Sequence, residues 1–516
     1  MTEGAPEHVS EQVRNVVLGV DIGTTATKVV AYLPGGVLLA SASVAYPLDI
    51  PYPGYAEQDP QEILAAVTSA TAQVVDEVGA DRVAGLAFSS AMHTLLGLSP
   101  TGEVLTPLTS WGDTRATTQA ERIRASAQGL ALHRRTGTPV HPMSPMVRLV
   151  WFHEQEPKLC ERVGHWCGVK EFVLLRLTGA LVMDHSIASA SGLLNLESLA
   201  WDGEALALAG VLPEQLPELV ATGHVLALEG GAARDLGLAP GTPVVVGAGD
   251  GPLANLGVGA VAPGMVAASL GTSGALRVVV DRPVVDPLGR VFCYNLAEDL
   301  WVVGGAINNG GVVMRWALES LVPDLGPDGE DALLALAATA PTGSGGLLMI
   351  PYLLSERAPR WSSLPHGAYV GLTRAHGREH MVRALLEGVC LQLSLVLESM
   401  RSAGLEITSV RATGGVMRSE LWRQMLADAL DVPIDLTSGQ EGSGFGAAVL
   451  GMVALGLVDS LEVAAANAVV EETVRPSAPD AAVYRQLRPV YAGLFDALGP
   501  TFAALRVIRP ALPMHV

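Results

Sequence analysis

Positive charge is what this chain has least of. Its 516 residues carry 32 lysines and arginines against 52 aspartates and glutamates, for a formal net charge of -20. Only Lys28, Lys158 and Lys170 among those cations are lysines. This balance argues against a protein that covers nucleic-acid phosphates or an anionic membrane surface, because either task demands a basic face. An anionic ligand would need local cations to overcome the global field, which salt screens beyond about 8 Å. Cysteine is equally sparse: Cys160, Cys167, Cys293 and Cys390 form no C-x-x-C pair. Cys160, His165 and Cys167 have no fourth ligand at a zinc-like spacing. The start, Met1 to Glu7, lacks a basic region and an apolar core, so a cytoplasmic, reduced protein is expected. The most apolar stretch, Val244 to Leu270, is interrupted by Asp250, Pro252, Asn255 and Pro263. It therefore fails as a membrane span and reads as strand, loop and strand.

What is present is bulk. A hydrophobic fraction of 49% with 57 glycines fits a globular α/β protein, and a chain of this length divides into two domains of roughly 250 residues each. An internal echo supports the division. Val16 to Val20 is an apolar run ending in Asp21-Ile22-Gly23-Thr24-Thr25, after which Thr27 to Tyr32 resumes a strand-like pattern. Met265 to Leu270 likewise leads into Gly271-Thr272-Ser273-Gly274 and then Ala275 to Val280. A third strand is expected after each hairpin, at Gly36 to Val44 and at Arg290 to Asn295. Strand, Gly-Thr turn and strand, met twice, predict related α/β domains that offer their turns to a shared cleft.

Between Trp111 and Leu196 a polar, helix-rich block interrupts the first copy, and such insertions often carry substrate contacts. In the second copy a helix is expected over Glu379 to Met400 and a strand over Ile407 to Ala412. Gly414-Gly415 follows, then a helix over Glu420 to Leu430, a strand over Val432 to Leu436, and a glycine-rich helix over Gly444 to Leu455.

Phosphate binding by a turn needs free backbone N–H groups, glycine for close approach, and hydroxyls as extra donors. Asp21 to Thr25 supplies all three, and Thr272 repeats the offer. An acid beside such a turn repels phosphate unless a divalent cation intervenes, so Asp21 implies Mg²⁺. Lys28 adds a compact cation in a chain that otherwise prefers arginine. Asp250, between two glycines at the end of the strand Val244 to Val246, is placed to accept a proton from an attacking hydroxyl. Substrate contacts are expected from Met92 and His93, from Trp111, Asp113 and Arg115, and from Arg357. A tryptophan beside hydrogen-bonding charges suits a polyhydroxy ligand.

These motifs resemble the FGGY carbohydrate kinases of the actin-like ATPase (ribonuclease H-like) superfold. The resemblance rests on Asp-x-Gly-Thr-Thr, Gly249-Asp250-Gly251, Gly271-Thr272-Ser273, Gly414-Gly415, and the stretch from Gly367 to Glu387. Within the family the chain is most similar to gluconokinases at Phe88 to His93, His141 to Pro145, Ser186 to Gly192 and Ser355 to Pro359. Xylulokinases share much of this but usually place glycine where Thr94 stands. One departure is Arg148, where the family usually has lysine.

The resemblance implies a duplicated α/β fold with a ligand cleft between its domains. It places an N-terminal tail at 1–14, a sugar-binding domain at 15–258, a nucleotide-binding domain at 259–502 and a C-terminal tail at 503–516. It also implies ATP and Mg²⁺, with Asp250 as general base and Asp21 and Asp250 at the metal. Thr24, Thr25, Lys28 and Thr272 would hold the phosphates, while Gly311, Gly414, Gly415, Met417 and Arg418 would face the nucleoside. The expected reaction turns D-gluconate into 6-phospho-D-gluconate, with xylulose or another pentulose or polyol as the alternative substrate. The expected partners are ATP and a small sugar or sugar acid, with no nucleic acid and no membrane, and a homodimer stays open. A filament-forming or chaperone-like nucleotide switch would not need Trp111, Asp113 and Arg115 beside a base. A sugar-sensing repressor would need a basic recognition helix that the chain lacks.

Overall fold

The near-continuous apolar run Val16–Ile22 forms a strand, β1, buried along almost its whole length, as expected of a strand with a parallel neighbour and covered faces. The computed structural model describes residues 14–438, 442–466 and 468–508. The expected N-terminal tail lies outside these residues apart from Arg14. β2 (Ala26–Tyr32) and β3 (Leu38–Ala45) continue β1 as antiparallel neighbours. β4 (Val83–Ser90) and β6 (Pro243–Gly249) extend the sheet on its other side in parallel, and β5 (Val225–Ala227) closes that edge antiparallel.

The second sheet repeats this plan. β7 (Met265–Leu270) pairs antiparallel with β8 (Gly274–Val280), and β8 with β10 (Leu300–Ile307). On the other side β11 (Ser409–Thr413) and β12 (Ile434–Ser438) run parallel to β7, and β13 (Val469–Val474) closes the edge antiparallel. The two sheets therefore share strand order and direction. β9 (Phe292–Ala297) corrects one expectation. The strand foreseen at Arg290 to Asn295 forms, but it pairs with β10 at the sheet's outer edge, and β10 takes the third position beside the hairpin. Gly304 and Gly305 dilute the apolar pattern of β10, yet a Cβ on Gly304 would come within 2.1 Å of the Leu276 carbonyl, so close strand approach demands glycine there.

Helices cover the sheets. α1 (Pro60–Val78) starts where the Asp59 side chain accepts from the Gln61 N–H, with proline in the first turn. α2 (Pro145–Gln155), α3 (Val169–Thr178) and α4 (His185–Ala190) belong to the predicted insertion. The loop expected between Val244 and Leu270 is a helix, α5 (Asp250–Gly257), whose first turn carries the Asp250 carboxylate, a favourable sign for that end of a helix. α6 (Arg378–Ser402) is apolar and long enough to cross a membrane, but most of it is buried inside the protein. α7 (Glu420–Leu430), α8 (Ser443–Ala454) and α9 (Ala478–Ile508) complete the second domain, with α9 running on past residue 502.

α8 also forms the seam, packing against β1 and α5 of the first domain. The approach is so close that a Cβ on Gly19 would lie 2.0 Å from the Gly444 carbonyl oxygen. One continuous core runs through the seam and includes Val17, Leu253, Ala268 and Phe445.

Candidate active site

Asp21 lies near the C-terminal end of β1. Its Oδ1 accepts from the Ser89 hydroxyl and its Oδ2 from the Ser443 hydroxyl, both at 2.7 Å, so both domains orient it. Burial holds its carboxyl above the ordinary value, against the pull of those hydroxyls and of Lys28. Lys28 stands opposite Asp21 in the β1–β2 register and is exposed, and Thr25 is exposed at the tip of the turn.

Asp250 follows β6 and is pushed up to about 6, first by burial and then by the Asp21 charge, while Arg277 pulls it back. Two carboxylates that repel one another suit a divalent cation between them. Among the described residues no cluster of three or more metal-ligating side chains exists. Such a pair fits Mg²⁺, which is usually held by one or two carboxylates together with substrate phosphates.

Asp250 lines a cavity of about 230 Å³ whose walls come from both domains. Thr24, Met92, His93, Trp111 and Arg357 line it too, so the first Gly-Thr turn and the three predicted substrate segments meet there. Trp111 Nε1–H donates to the Thr24 hydroxyl at 2.8 Å, and the Arg357 guanidinium lies 5.0 Å from the Trp111 ring centroid. His93 is buried and pushed down to about 3 by burial and by the Arg148 and Arg357 charges, so it is neutral. Its Nδ1 lies 2.9 Å from the Ala190 carbonyl oxygen. A carbonyl only accepts, so Nδ1 carries the proton and Nε2 is left as an acceptor.

Two predicted substrate contacts are placed elsewhere. Arg115 is held by Asp113 at 2.7 Å and by Glu57 at 2.5 Å, with its guanidinium 3.8 Å above the Tyr55 ring. Asp113 also accepts from the Ala56 N–H at 2.9 Å. Their charges satisfy each other, and Arg115 lines a separate groove with Tyr55 and Trp151. Neither Asp113 nor Arg115 lines the Asp250 cavity.

On the second domain's side the predicted residues gather around the Gly271–Ser273 turn. Gly311 N–H donates to Gly271 O at 2.7 Å, and Val312 N–H donates to Thr272 O at 3.1 Å. Gly414 has φ of +105°, and a Cβ there would be 2.1 Å from the Leu270 carbonyl oxygen. A Cβ on Gly415 would lie 3.5 Å from Arg418 Nη2, and Met417 is buried.

Arg277, Ser269 and Tyr294 also line the cavity, and sequence reasoning missed them. One signal was available for Arg277: it is the lone charge inside the apolar strand Gly274–Val280, a costly position unless something needs it. Tyr294 gave no such sign. Arg148 is fully buried, and its guanidinium donates to the carbonyls of His93, Ser110 and Met143 and to the Thr109 hydroxyl. A planar fork can serve four acceptors on three segments, which an ammonium at a single point cannot.

Two duplicated domains, each offering a Gly-Thr turn to one cleft that holds a buried carboxylate and a small polar cavity, define a kinase of a small hydroxylated substrate. Models of the N-terminal and C-terminal domains of the FGGY family of carbohydrate kinases match residues 16–257 and 266–455. The chain belongs to that family and is a sugar phosphotransferase with the actin-like ATPase fold. It is 39% identical to the gluconokinase of Bacillus subtilis (strain 168), covering 97% of this chain and 99% of that one. The crystal structure of gluconate kinase from Lactobacillus acidophilus superposes with a TM-score of 0.91 at 34% identity, over 95% of this chain and 99% of that one. Ligand-bound xylulose kinase from the same organism gives 0.90 at 35% identity over the same shares.

Proposed function

We propose that the protein is a gluconate kinase, transferring the terminal phosphoryl group of ATP to the 6-hydroxyl of D-gluconate to give 6-phospho-D-gluconate and ADP. The observation that carries this reading is the presence of two half-buried arginines, Arg277 and Arg357, in the cavity of Asp250. Among the described residues the Nε of each has no hydrogen-bond partner. In a protein of net charge -20 two such cations suit a ligand that brings a carboxylate. Asp250 faces Arg277, and Glu356 and Asp250 face Arg357, so a ligand carboxylate would add to these counter-charges where a neutral ketose adds none.

In this reading residues 15–258 form the sugar side and 259–502 the nucleotide side. Asp250 takes the proton of the attacking hydroxyl as the new O–P bond forms and the bond from phosphorus to the leaving ADP oxygen breaks. Mg²⁺ held at Asp21 and Asp250 would supply charge neutralisation at the phosphates. Thr24, Thr25, Lys28 and Thr272 hold the β- and γ-phosphates, and Gly311, Gly414, Gly415, Met417 and Arg418 face the nucleoside. His93 Nε2 accepts from a sugar hydroxyl, while Met92 and Trp111 wall the cavity. Closing the domains excludes water and limits wasteful hydrolysis.

The test is an assay of ADP release with gluconate, other aldonates, xylulose, ribulose and glycerol, each beside a sugar-free control. Gluconate is expected to give the highest kcat/KM. A preference for a neutral sugar overturns the substrate assignment, and equal ADP release without sugar overturns the metabolic role.

A further inference from the structure

Lys170 is one of only three lysines, and nothing in the reaction described above uses it. It lies in α3, fully buried, with its Nζ 2.6 Å from Oδ2 of Asp184, which is also fully buried. Glu171, the other buried carboxyl nearby, accepts from the Gly168 N–H at 2.8 Å. Burial pushes Glu171 up to about 7, against the pull of the Lys170 charge. A buried ion pair is expensive to desolvate and is seldom a net source of stability. Its value here is positional.

Asp184 Oδ1 accepts from the Ile187 N–H at 3.0 Å and so caps α4. That six-residue helix reaches three parts of the cavity. Ser186 Oγ accepts from the Gly249 N–H at 3.2 Å, immediately before Asp250. The Ala190 carbonyl receives His93 Nδ1–H. Ser189 Oγ accepts from the Asn295 N–H at 2.9 Å, next to the cavity residue Tyr294 in the second domain. The carbonyl of Ser189 also accepts from the Thr138 hydroxyl at 2.6 Å, which fixes the far side of the helix.

We propose that the Lys170–Asp184 pair is a positioning device for phosphoryl transfer, anchoring α4 so that Ser186 fixes the Gly249–Asp250 peptide and Ala190 fixes the His93 ring. The proposal rests on Asp250 being the base. Lys170 and Asp184 touch neither substrate nor phosphate. They act through a helix that holds the peptide N–H immediately before the reacting carboxylate, where a displacement of about 1 Å costs on the order of a hundredfold in rate.

The experiment compares Lys170→Met and Ser186→Ala with the parent protein, each in the parent and in the Asp250→Asn background. Thermal melts confirm folding. Each variant is expected to lower kcat about tenfold or more with the KM for ATP unchanged, because Lys170 pairs with Asp184 and Ser186 bonds to Gly249, neither of them assigned to the nucleotide. In the Asp250→Asn background both losses should vanish, since there is no base left to position. Should Lys170→Met fail to fold, Ser186→Ala decides alone, because it removes one hydroxyl and strands no charge. A kcat within about twofold of the parent overturns the proposal, as does an undiminished loss in the Asp250→Asn background. Full activity of Asp250→Asn by itself rejects the base assignment, and the proposal falls with it; losses confined to the parent background uphold both.

Discussion

Trp111 and Thr24 are joined by a hydrogen bond of 2.8 Å from the indole N–H to the hydroxyl. A residue of the sugar side thereby fixes the rotamer of a residue in the first phosphate turn. Trp111→Phe keeps the ring beside Arg357 but removes the donor. It is expected to lower kcat/KM for sugar and for ATP together by about fivefold, the worth of one hydrogen bond near 1 kcal/mol. Steady-state kinetics with each substrate varied in turn checks this, and an effect on the sugar alone would separate the two sites.

Acid should switch the enzyme off through Asp250. Its carboxyl sits at about 6 because of burial and the Asp21 charge. A base acts only when unprotonated, so kcat/KM for sugar should fall as pH drops through about 6 and level off above it. A bound divalent cation would move this limb lower. Asp21→Asn removes the like charge and should also move the limb to lower pH in what activity remains. His93, neutral down to about 3, adds no limb of its own near neutrality.

Arg148→Lys tests whether the departure from the family's usual lysine is adaptive. Lysine cannot reach the carbonyls of His93, Ser110 and Met143 together, and each buried acceptor left unpaired costs about 1–3 kcal/mol. A lower Tm and a higher KM for sugar are expected, with the KM for ATP little changed. An unaltered Tm would show that the fork is dispensable.

Gly19→Ala should be worse than an ordinary surface change. The added methyl would sit 2.0 Å from the Gly444 carbonyl oxygen, and that neighbour is backbone. Overpacking of this kind costs about 3 kcal/mol. Thermal melts should show the loss, and activity should fall because α8 also carries the Ser443 hydroxyl to Asp21. A wild-type Tm would show that the seam opens without cost.

The duplicated sheet could be read from sequence because the Gly-Thr turn between two apolar strands recurs, and pattern of that kind survives divergence. β10 could not, since its glycines serve close strand approach and break the hydrophobic alternation. Met92, His93, Trp111 and Arg357 were readable as polar or aromatic residues at the ends of strand-like runs. Arg115 looked the same in sequence, and only the structure shows Asp113 and Glu57 consuming its charge. Tyr294 reaches the cavity from an edge strand whose pairing no local pattern reveals. Ser443 reaches Asp21 over 422 positions of chain, a contact that belongs to tertiary packing alone.

The central claim is that the cavity arginines select an anionic sugar. Its most direct test is the ratio of kcat/KM for gluconate to that for xylulose, measured for the parent protein and for Arg357→Met. The parent should favour gluconate, and Arg357→Met should lower gluconate turnover by about 10- to 100-fold, as expected for loss of a charge-assisted hydrogen bond, while xylulose changes little. A parent protein that prefers xylulose, or a variant that loses both substrates equally, would contradict it.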